Sequence, residues 1–164
     1  MSGPKNLVRT RSLGNADYVR IRHPLNPRSE IRIALLGDRV GMQRAFLSIA
    51  RISPGKESFL PHAHSQQEEF LFILEGRGLA AVGEQQVEVG PGDYLGFPTD
   101  GTPHHLSNIG TEELVYLTGG ERTAVEVARF PSIGKVAVFK NGAATFYDDG
   151  SGQTFPLSAW IAKD

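Results

Sequence analysis

The sequence contains no cysteine among its 164 residues. This absence excludes disulfide scaffolds, catalysis by a thiol, iron–sulfur clusters and zinc sites built on cysteine. It does not assign a cellular compartment, because chains without cysteine occur on both sides of a membrane.

An excess of charge of one sign is also missing, because 17 Lys and Arg residues stand against 18 Asp and Glu residues and the net charge is −1. No basic field is available to attract nucleic acid or an anionic membrane, so neither partner is expected. The longest apolar runs, such as 70–74, are too short for a transmembrane helix. Lys5 and Arg9 are not followed by an apolar segment, so no secretory signal is expected and a cytoplasmic protein is the default interpretation.

Glycine and proline, in contrast, are abundant. The 19 glycines and 10 prolines make up about 18% of the chain, against about 12% in average proteins. Turn signals recur roughly every 8–12 residues between 53 and 120, a spacing typical of β-sandwiches and barrels. No long window holds a clean helical period. The pattern therefore predicts an all-β protein.

Apolar runs between these turns define the expected strands. The run 69–75 is apolar at almost every position, which predicts a strand covered on both faces, and Asn141-Gly142 predicts a two-residue hairpin turn. Residues 1 to about 30 show no regular pattern, and Trp160 and Ile161 near the end are expected to dock on another part of the protein. The predicted strands are 31–36, 43–52, 69–75, 79–82, 85–89, 94–97, 104–108, 114–118, 135–140 and 143–147.

Four of the five histidines form two clusters, His62 with His64 and His104 with His105. On an extended segment, a His-x-His pair places both imidazoles on one face, so both rings can reach a single cation. Glu68 and the adjacent position 69 follow at the start of the apolar run, where a carboxylate is costly unless it is paired or metal-bound. Strand alternation does not decide between these two glutamates. The third imidazole would come from His104.

Four protein ligands around an octahedral ion leave two positions for water or substrate, which indicates a catalytic or ligand-binding site and not a structural one. His105 is expected to point away from His104, since neighbouring strand residues face opposite sides. His23 stands alone in the irregular N-terminal segment and is not expected to carry function. Arg44 and Arg51 are interpreted as exposed charges, with a barrel-facing carboxylate clamp as the alternative.

Two segments together resemble the paired motifs of the cupin superfamily. In the first, His62-x-His64 is followed by four residues, Glu69, six residues and Gly76. In the second, Gly92 is followed by five residues, Pro98, two residues, Gly101, two residues, His104, three residues and Asn108. The resemblance covers about 43–120, and 129–138 is similar to the tail of uncharacterised bacterial single-domain cupins of this length.

This resemblance implies an all-β double-stranded β-helix, that is, a jelly-roll barrel. A single cupin domain would then occupy 1–164, with the barrel core at about 43–120, an N-terminal extension at 1–42 and a C-terminal extension at 121–164. The metal ligands of the family fall on His62, His64, Glu69 and His104, which selects Glu69 over Glu68. The cofactor would be one divalent ion, Zn, Fe, Mn or Ni.

The expected function is binding, and transformation, of a small oxygen-rich or anionic molecule at a mononuclear site in the barrel mouth. With Fe or Mn, the resemblance allows dioxygenase or decarboxylase chemistry; with Ni, Zn or Mn, it allows isomerase or lyase chemistry. No catalytic residue is assigned apart from the ligands. The alternative is a non-catalytic sugar or small-molecule binding or sensor module on the same barrel. A homodimer is expected, because family members are often dimers.

Overall fold

A computed structural model of the chain describes residues 4–154 and residue 156. Trp160 and Ile161, expected to dock on the protein, lie outside the described residues. The helical segments are short: α1 is Leu36–Arg39, and 3-10 turns occupy Thr10–Ser12, Asn15–Asp17 and Pro131–Ile133. The strands are β1 (Val19–Arg22), β2 (Glu30–Leu35), β3 (Ala45–Ile52), β4 (Ala63–His64), β5 (Glu69–Glu75), β6 (Gly78–Val82), β7 (Gln85–Val89), β8 (Tyr94–Phe97), β9 (His104–Asn108), β10 (Leu114–Glu121), β11 (Val125–Phe130), β12 (Lys135–Lys140) and β13 (Ala143–Asp148).

The strands form two antiparallel walls. One wall is a six-stranded sheet in the order β1-β2-β3-β10-β5-β8. The other consists of β13-β12-β11-β4 and β7-β6-β9, and an antiparallel bridge between His62 and His104 connects these two groups. The predicted all-β class and rolled barrel are confirmed.

The main core lies between the two walls. Ile52, Ile73, Leu106 and Leu114 are completely or almost completely buried and fill one end of the barrel. Towards the other end, β3 presents the smaller Ser48 at an inward position, where it lines a cavity. The core therefore seals one end of the barrel and leaves the other available for a ligand.

The β10–β5 pairing depends on a glycine. Gly120 pairs with Glu69, and a Cβ atom at Gly120 would collide with the carbonyl oxygen of Glu68. Any larger residue would force the two strands apart. The close approach aligns the start of β5 with β10, and this alignment brings Thr118 next to Glu69.

The prediction that β5 is covered on both faces is wrong. Leu71 and Ile73 face the core, but Phe72 and Leu74 on the outer face are each 36% exposed. The N-terminal segment packs Val8 and other apolar side chains over the β3–β10 part of this outer face. It does not extend over β5 and β8, so the outer side of β5 is half-exposed.

The predicted strands from 69 to 108 match the structure within one residue, and the hairpin turn at Asn141-Gly142 is present. Three strands were not predicted: β1, the two-residue β4 and β11. β1 lies in the segment that lacked a pattern, and β11 has polar Glu126 at a buried position, so its sequence does not alternate as a half-buried strand does. In the described part of the chain, none of the helices is long and apolar enough to cross a membrane.

Candidate metal centre

The four residues selected by the sequence meet at one point of the barrel wall. His62 precedes β4 and His64 ends it, Glu69 begins β5, and His104 begins β9. One donor atom from each of them lies within 4.8 Å of the donor atoms of the others. The two motifs are therefore brought together in space, although about 40 residues separate His62 from His104.

The carboxylate of Glu69 is held with one oxygen facing the imidazoles. Its Oε2 lies 3.2 Å from Nε2 of His64 and 3.4 Å from Nε2 of His104. Its Oε1 accepts a hydrogen bond of 2.8 Å from the hydroxyl of Thr118 on β10. Because Thr118 occupies one oxygen, the other remains free to face the centre of the cluster, as the ligating oxygen of a metal-bound carboxylate does.

Two of the rings are also fixed in orientation. Nδ1 of His62 lies 2.8 Å from the carbonyl oxygen of Leu60 and donates to it, which leaves the lone pair on Nε2 for a ligand. The His62 ring stacks on Phe130, with 5.6 Å between the centroids. The His104 ring lies parallel to Phe97 at 3.8 Å. Aromatic packing therefore limits rotation of both imidazoles.

Behind His64 lies a second carboxylate. Nδ1 of His64 is 3.7 Å from Oε1 of Glu126, a buried residue of β11. The same oxygen accepts backbone N–H groups from Ser65 at 2.7 Å and Gln66 at 3.3 Å. This arrangement resembles the carboxylate–histidine pairs that orient metal ligands, and it also fixes the loop between His64 and Glu69.

The residues present fit a divalent metal ion. His104 is buried, and neither of its ring nitrogens has a hydrogen-bond partner among the described residues, since its 3.4 Å approach to Glu69 lacks hydrogen-bond geometry. A buried polar atom without a partner is costly. Coordination of Nε2 to a cation would remove that cost, and three imidazoles with one carboxylate are suitable ligands for Zn, Fe, Mn or Ni.

Electrostatics keep two of these groups in the states that bind metal. Burial, together with the neighbouring His104 and His64, lowers the pKa of His62 to about 3, so its ring is neutral at physiological pH. Burial alone would raise the pKa of Glu69. The close imidazoles of His104 and His64 outweigh burial and hold the pKa of that carboxyl well below its usual range. The cluster thus offers a neutral imidazole and an ionised carboxylate without prior proton loss.

A cavity of about 800 Å³ opens beside the cluster. This volume is within the range of roughly 300–1,000 Å³ that small-molecule sites occupy. Among its polar groups are the side chains of Ser48, Tyr116 and His23. Burial, with a smaller contribution from the charge of Glu69, raises the pKa of Tyr116, so this hydroxyl stays protonated. The apolar lining includes Phe46, Phe59, Leu71, Phe130, Phe139 and Phe146.

Other residues singled out by the sequence lie outside the cluster. Nε2 of His105 lies 3.5 Å from Glu57 and away from the metal ligands, as predicted. Glu68 is exposed at the rim. Arg51 pairs with Glu113 at 3.1 Å and lies over the Tyr18 ring, so it is not a carboxylate clamp inside the barrel.

Sequence reasoning missed three residues of the site: Thr118, Glu126 and His23. Thr118 was included in a predicted strand, and a polar residue at an inward position next to Glu69 was the available signal. Glu126 could not be placed because β11 was not predicted. His23 was interpreted as a residue without function, and its place in the cavity wall depends on contacts between distant segments that no local pattern reports.

The family model of the cupin domain matches residues 48–120. Among curated proteins, an uncharacterized protein of Methanocaldococcus jannaschii is 39% identical over 71 residues, which are 43% of this chain and 55% of that protein. The chain thus spans about half the length of this curated relative. The 71 residues aligned with this relative are close in number to those matched by the family model.

Two solved structures are similar over longer stretches. A protein of Acidithiobacillus ferrooxidans, provisionally named a sugar phosphate isomerase, has a TM-score of 0.87 and 32% sequence identity. The likeness covers 93% of this chain and 97% of that protein. A sugar phosphate isomerase of Silicibacter pomeroyi has a TM-score of 0.70 and 28% identity, covering 76% of this chain and 80% of that protein. At 93% coverage, the first of these likenesses includes most of both extensions outside the matched motifs.

The adjacent histidines of β9 provide a matched pair for testing metal ligation. We expect H104Q to lose most of its bound metal, because a ligand nitrogen is removed, and H105Q to keep a full complement, because His105 lies against Glu57. Elemental analysis of protein purified without chelator, with circular dichroism as a check on folding, measures this difference. Equal metal content in the two folded variants would contradict the ligand set.

The depressed pKa of His62 predicts a loss of stability in acid for the metal-free protein. Between pH 6.5 and about 3, the unfolded chain protonates this imidazole while the folded protein does not, so the free energy of unfolding falls as pH decreases. One such proton is worth up to about 1.4 kcal/mol per pH unit. Urea unfolding at several pH values gives the free energy of unfolding as a function of pH. In this range its slope should be shallower for H62Q, by the amount that the uptake of about one proton contributes. Identical slopes would show that His62 titrates normally in the folded state.

Proposed function

The chain belongs to the cupin superfamily, and from that premise we propose that His62, His64, Glu69 and His104 bind one divalent metal ion in an enzyme acting on a small oxygen-rich molecule. The convergence of these four donor atoms beside a cavity carries the proposal. An octahedral ion with four protein ligands retains two positions for a substrate.

Within this class, we favour an isomerase that interconverts aldose and ketose forms of a small sugar phosphate. The names of the proteins from A. ferrooxidans and S. pomeroyi support this choice. A bound divalent ion would act as a Lewis acid that polarises the carbonyl group of the sugar. The apolar wall of the cavity would exclude water, and the protonated Tyr116 hydroxyl would be available to donate to a sugar oxygen.

The phosphate group is expected at the rim of the cavity. Arg22 and Arg122 are among its lining residues, and each also pairs with a carboxylate, Glu30 and Asp38 respectively. Because guanidinium groups bind phosphate oxygens in a bidentate manner, these arginines are suitable partners for an anionic end of the ligand. The metal would then hold the carbonyl end deeper in the barrel.

A non-catalytic binding module is the second candidate. The mainly apolar surface of the cavity wall favours it, because a binding pocket needs few polar groups and no acid or base. The two candidates differ in one outcome, which is whether a bound sugar is converted.

We expect the metal-loaded protein to convert at least one aldose phosphate of three to six carbons into its ketose. Carbon-13 NMR of each labelled sugar follows the conversion directly. The H104Q variant should reduce the rate to background and H105Q should not, because only the first removes a proposed ligand. Binding by calorimetry without conversion of any of these sugars would favour the binding module.

We also propose that the whole chain folds as one cupin domain, that it acts in the cytoplasm, and that it forms a homodimer. The uncovered outer face of β5 and β8, which bears Phe72 and the 64% exposed Tyr94, supports dimerisation. Light scattering should therefore give about twice the 17.8 kDa mass of the chain. A monomer mass would reject the dimer, and cell fractionation tests the location.

A further inference from the structure

His23 is a buried histidine in a wall of aromatic rings. It follows β1 directly, and its exposed fraction is 8%. Its ring lies 6.3 Å from Phe59, 5.5 Å from Phe130 and 5.9 Å from Phe146, measured between centroids. These rings come from the segment before β4, from β11 and from β13, so three separate parts of the chain hold the imidazole in place.

The hydrogen bond that Nδ1 accepts defines the tautomer of His23. Nδ1 accepts the backbone N–H of Leu25 at 3.2 Å, so it carries no proton. Burial lowers the pKa of His23, in agreement with a neutral ring. In a neutral imidazole the proton must then be on Nε2, which is therefore a hydrogen-bond donor.

This donor is open to the cavity. His23 lines the same cavity as the metal cluster, and Nε2 has no protein partner among the described residues. Within the described ranges, the fully buried ring nitrogens without a partner are those of His64 and His104, so the unpartnered Nε2 of His23 is not fully buried. The His23 Nε2 is thus accessible to a molecule inside the cavity.

His23 lies close enough to the metal cluster for one small molecule to contact both. The rings of His23 and His62 lie 5.5 and 5.6 Å from the Phe130 ring, so their centres are at most about 11 Å apart. Phe59 is likewise a neighbour of both rings, at 6.3 and 6.2 Å. Both histidines and both phenyl rings line the same cavity.

We propose that His23 is a ligand-binding residue whose Nε2–H donates a hydrogen bond to an oxygen of the sugar, at a distance from the metal-bound end. This inference rests on the proposed function in requiring an oxygen-rich molecule at the metal cluster. It adds a contact from the N-terminal extension, outside both cupin motifs, and assigns to it a role in recognising a hydroxyl or carbonyl oxygen.

Ring packing and the Nδ1 bond from Leu25 hold His23 in place, but in the described part of the chain they do not use its Nε2–H. Phenyl rings surround it, and a fourth phenyl ring would fill the same space without a polar atom to desolvate. An N–H group directed into a largely apolar cavity is useful where a ligand oxygen accepts from it. It also favours oxygen-bearing ligands over purely apolar ones, because the latter would leave the donor unpaired.

Two substitutions separate the donor from the packing. H23F keeps an aromatic ring and removes the donor, whereas H23Q places an amide N–H near the position of Nε2. Calorimetry of the metal-loaded protein would measure binding of dihydroxyacetone phosphate, D-ribulose 5-phosphate and D-fructose 6-phosphate. E88Q, which changes an exposed residue of β7 outside the cavity wall, serves as the control, and thermal unfolding reports on folding.

We expect H23F to weaken binding of the best of these probes about five- to tenfold, as loss of one neutral hydrogen bond does, with H23Q within about twofold of the wild type. Unchanged binding by H23F overturns the inference, and so does equal weakening by both variants. Failure of all three probes to bind the wild type overturns it as well. Binding that depends on His23 without any sugar conversion would reject the proposed isomerase and retain this contact.

Discussion

Burial of a carboxylate beside three imidazoles is the constraint on which this barrel depends. Glu69 is ionised in a largely buried position, and neither ring nitrogen of His104 has a hydrogen-bond partner in the part of the chain that the structure describes. Such groups are tolerated together because each reduces the cost of desolvating the others, and a shared cation would reduce it further. The supporting contacts of Thr118, Leu60 and Glu126 all serve to aim donor atoms at the same point.

The strand arrangement follows from the same constraint. The four ligands lie on segments that neighbour one another only when the two walls close, and the bridge between His62 and His104 is itself part of that closure. Gly120 permits the close pairing that brings Thr118 to Glu69. Backbone geometry and ligand geometry are therefore coupled, so a change in β10 without any contact to a ligand could still disturb the site.

The sequence predicted the parts of this structure that depend on local pattern and motif spacing. Turn glycines and apolar runs located the strands from 69 to 108, and the spacing of His62, His64, Glu69 and His104 identified the cluster. Local pattern could not report β1, whose residues are half-exposed or exposed, nor β11, whose buried Glu126 contradicts the usual alternation. It also could not place His23, because its surroundings are assembled from three segments distant in sequence.

The motif region and the two extensions contribute different parts of the site. The motif region supplies all four proposed metal ligands, whereas the two extensions supply much of the cavity wall, with His23 from the N-terminal one and Phe130, Phe139 and Phe146 from the C-terminal one. A metal site of three imidazoles and one carboxylate is compatible with several reactions, so it does not select the substrate by itself. Selection must then come from the shape and the few polar groups of the surrounding wall. We therefore propose that the extensions contribute strongly to the choice of ligand, so a cupin with the same four ligands but different extensions should accept a different molecule.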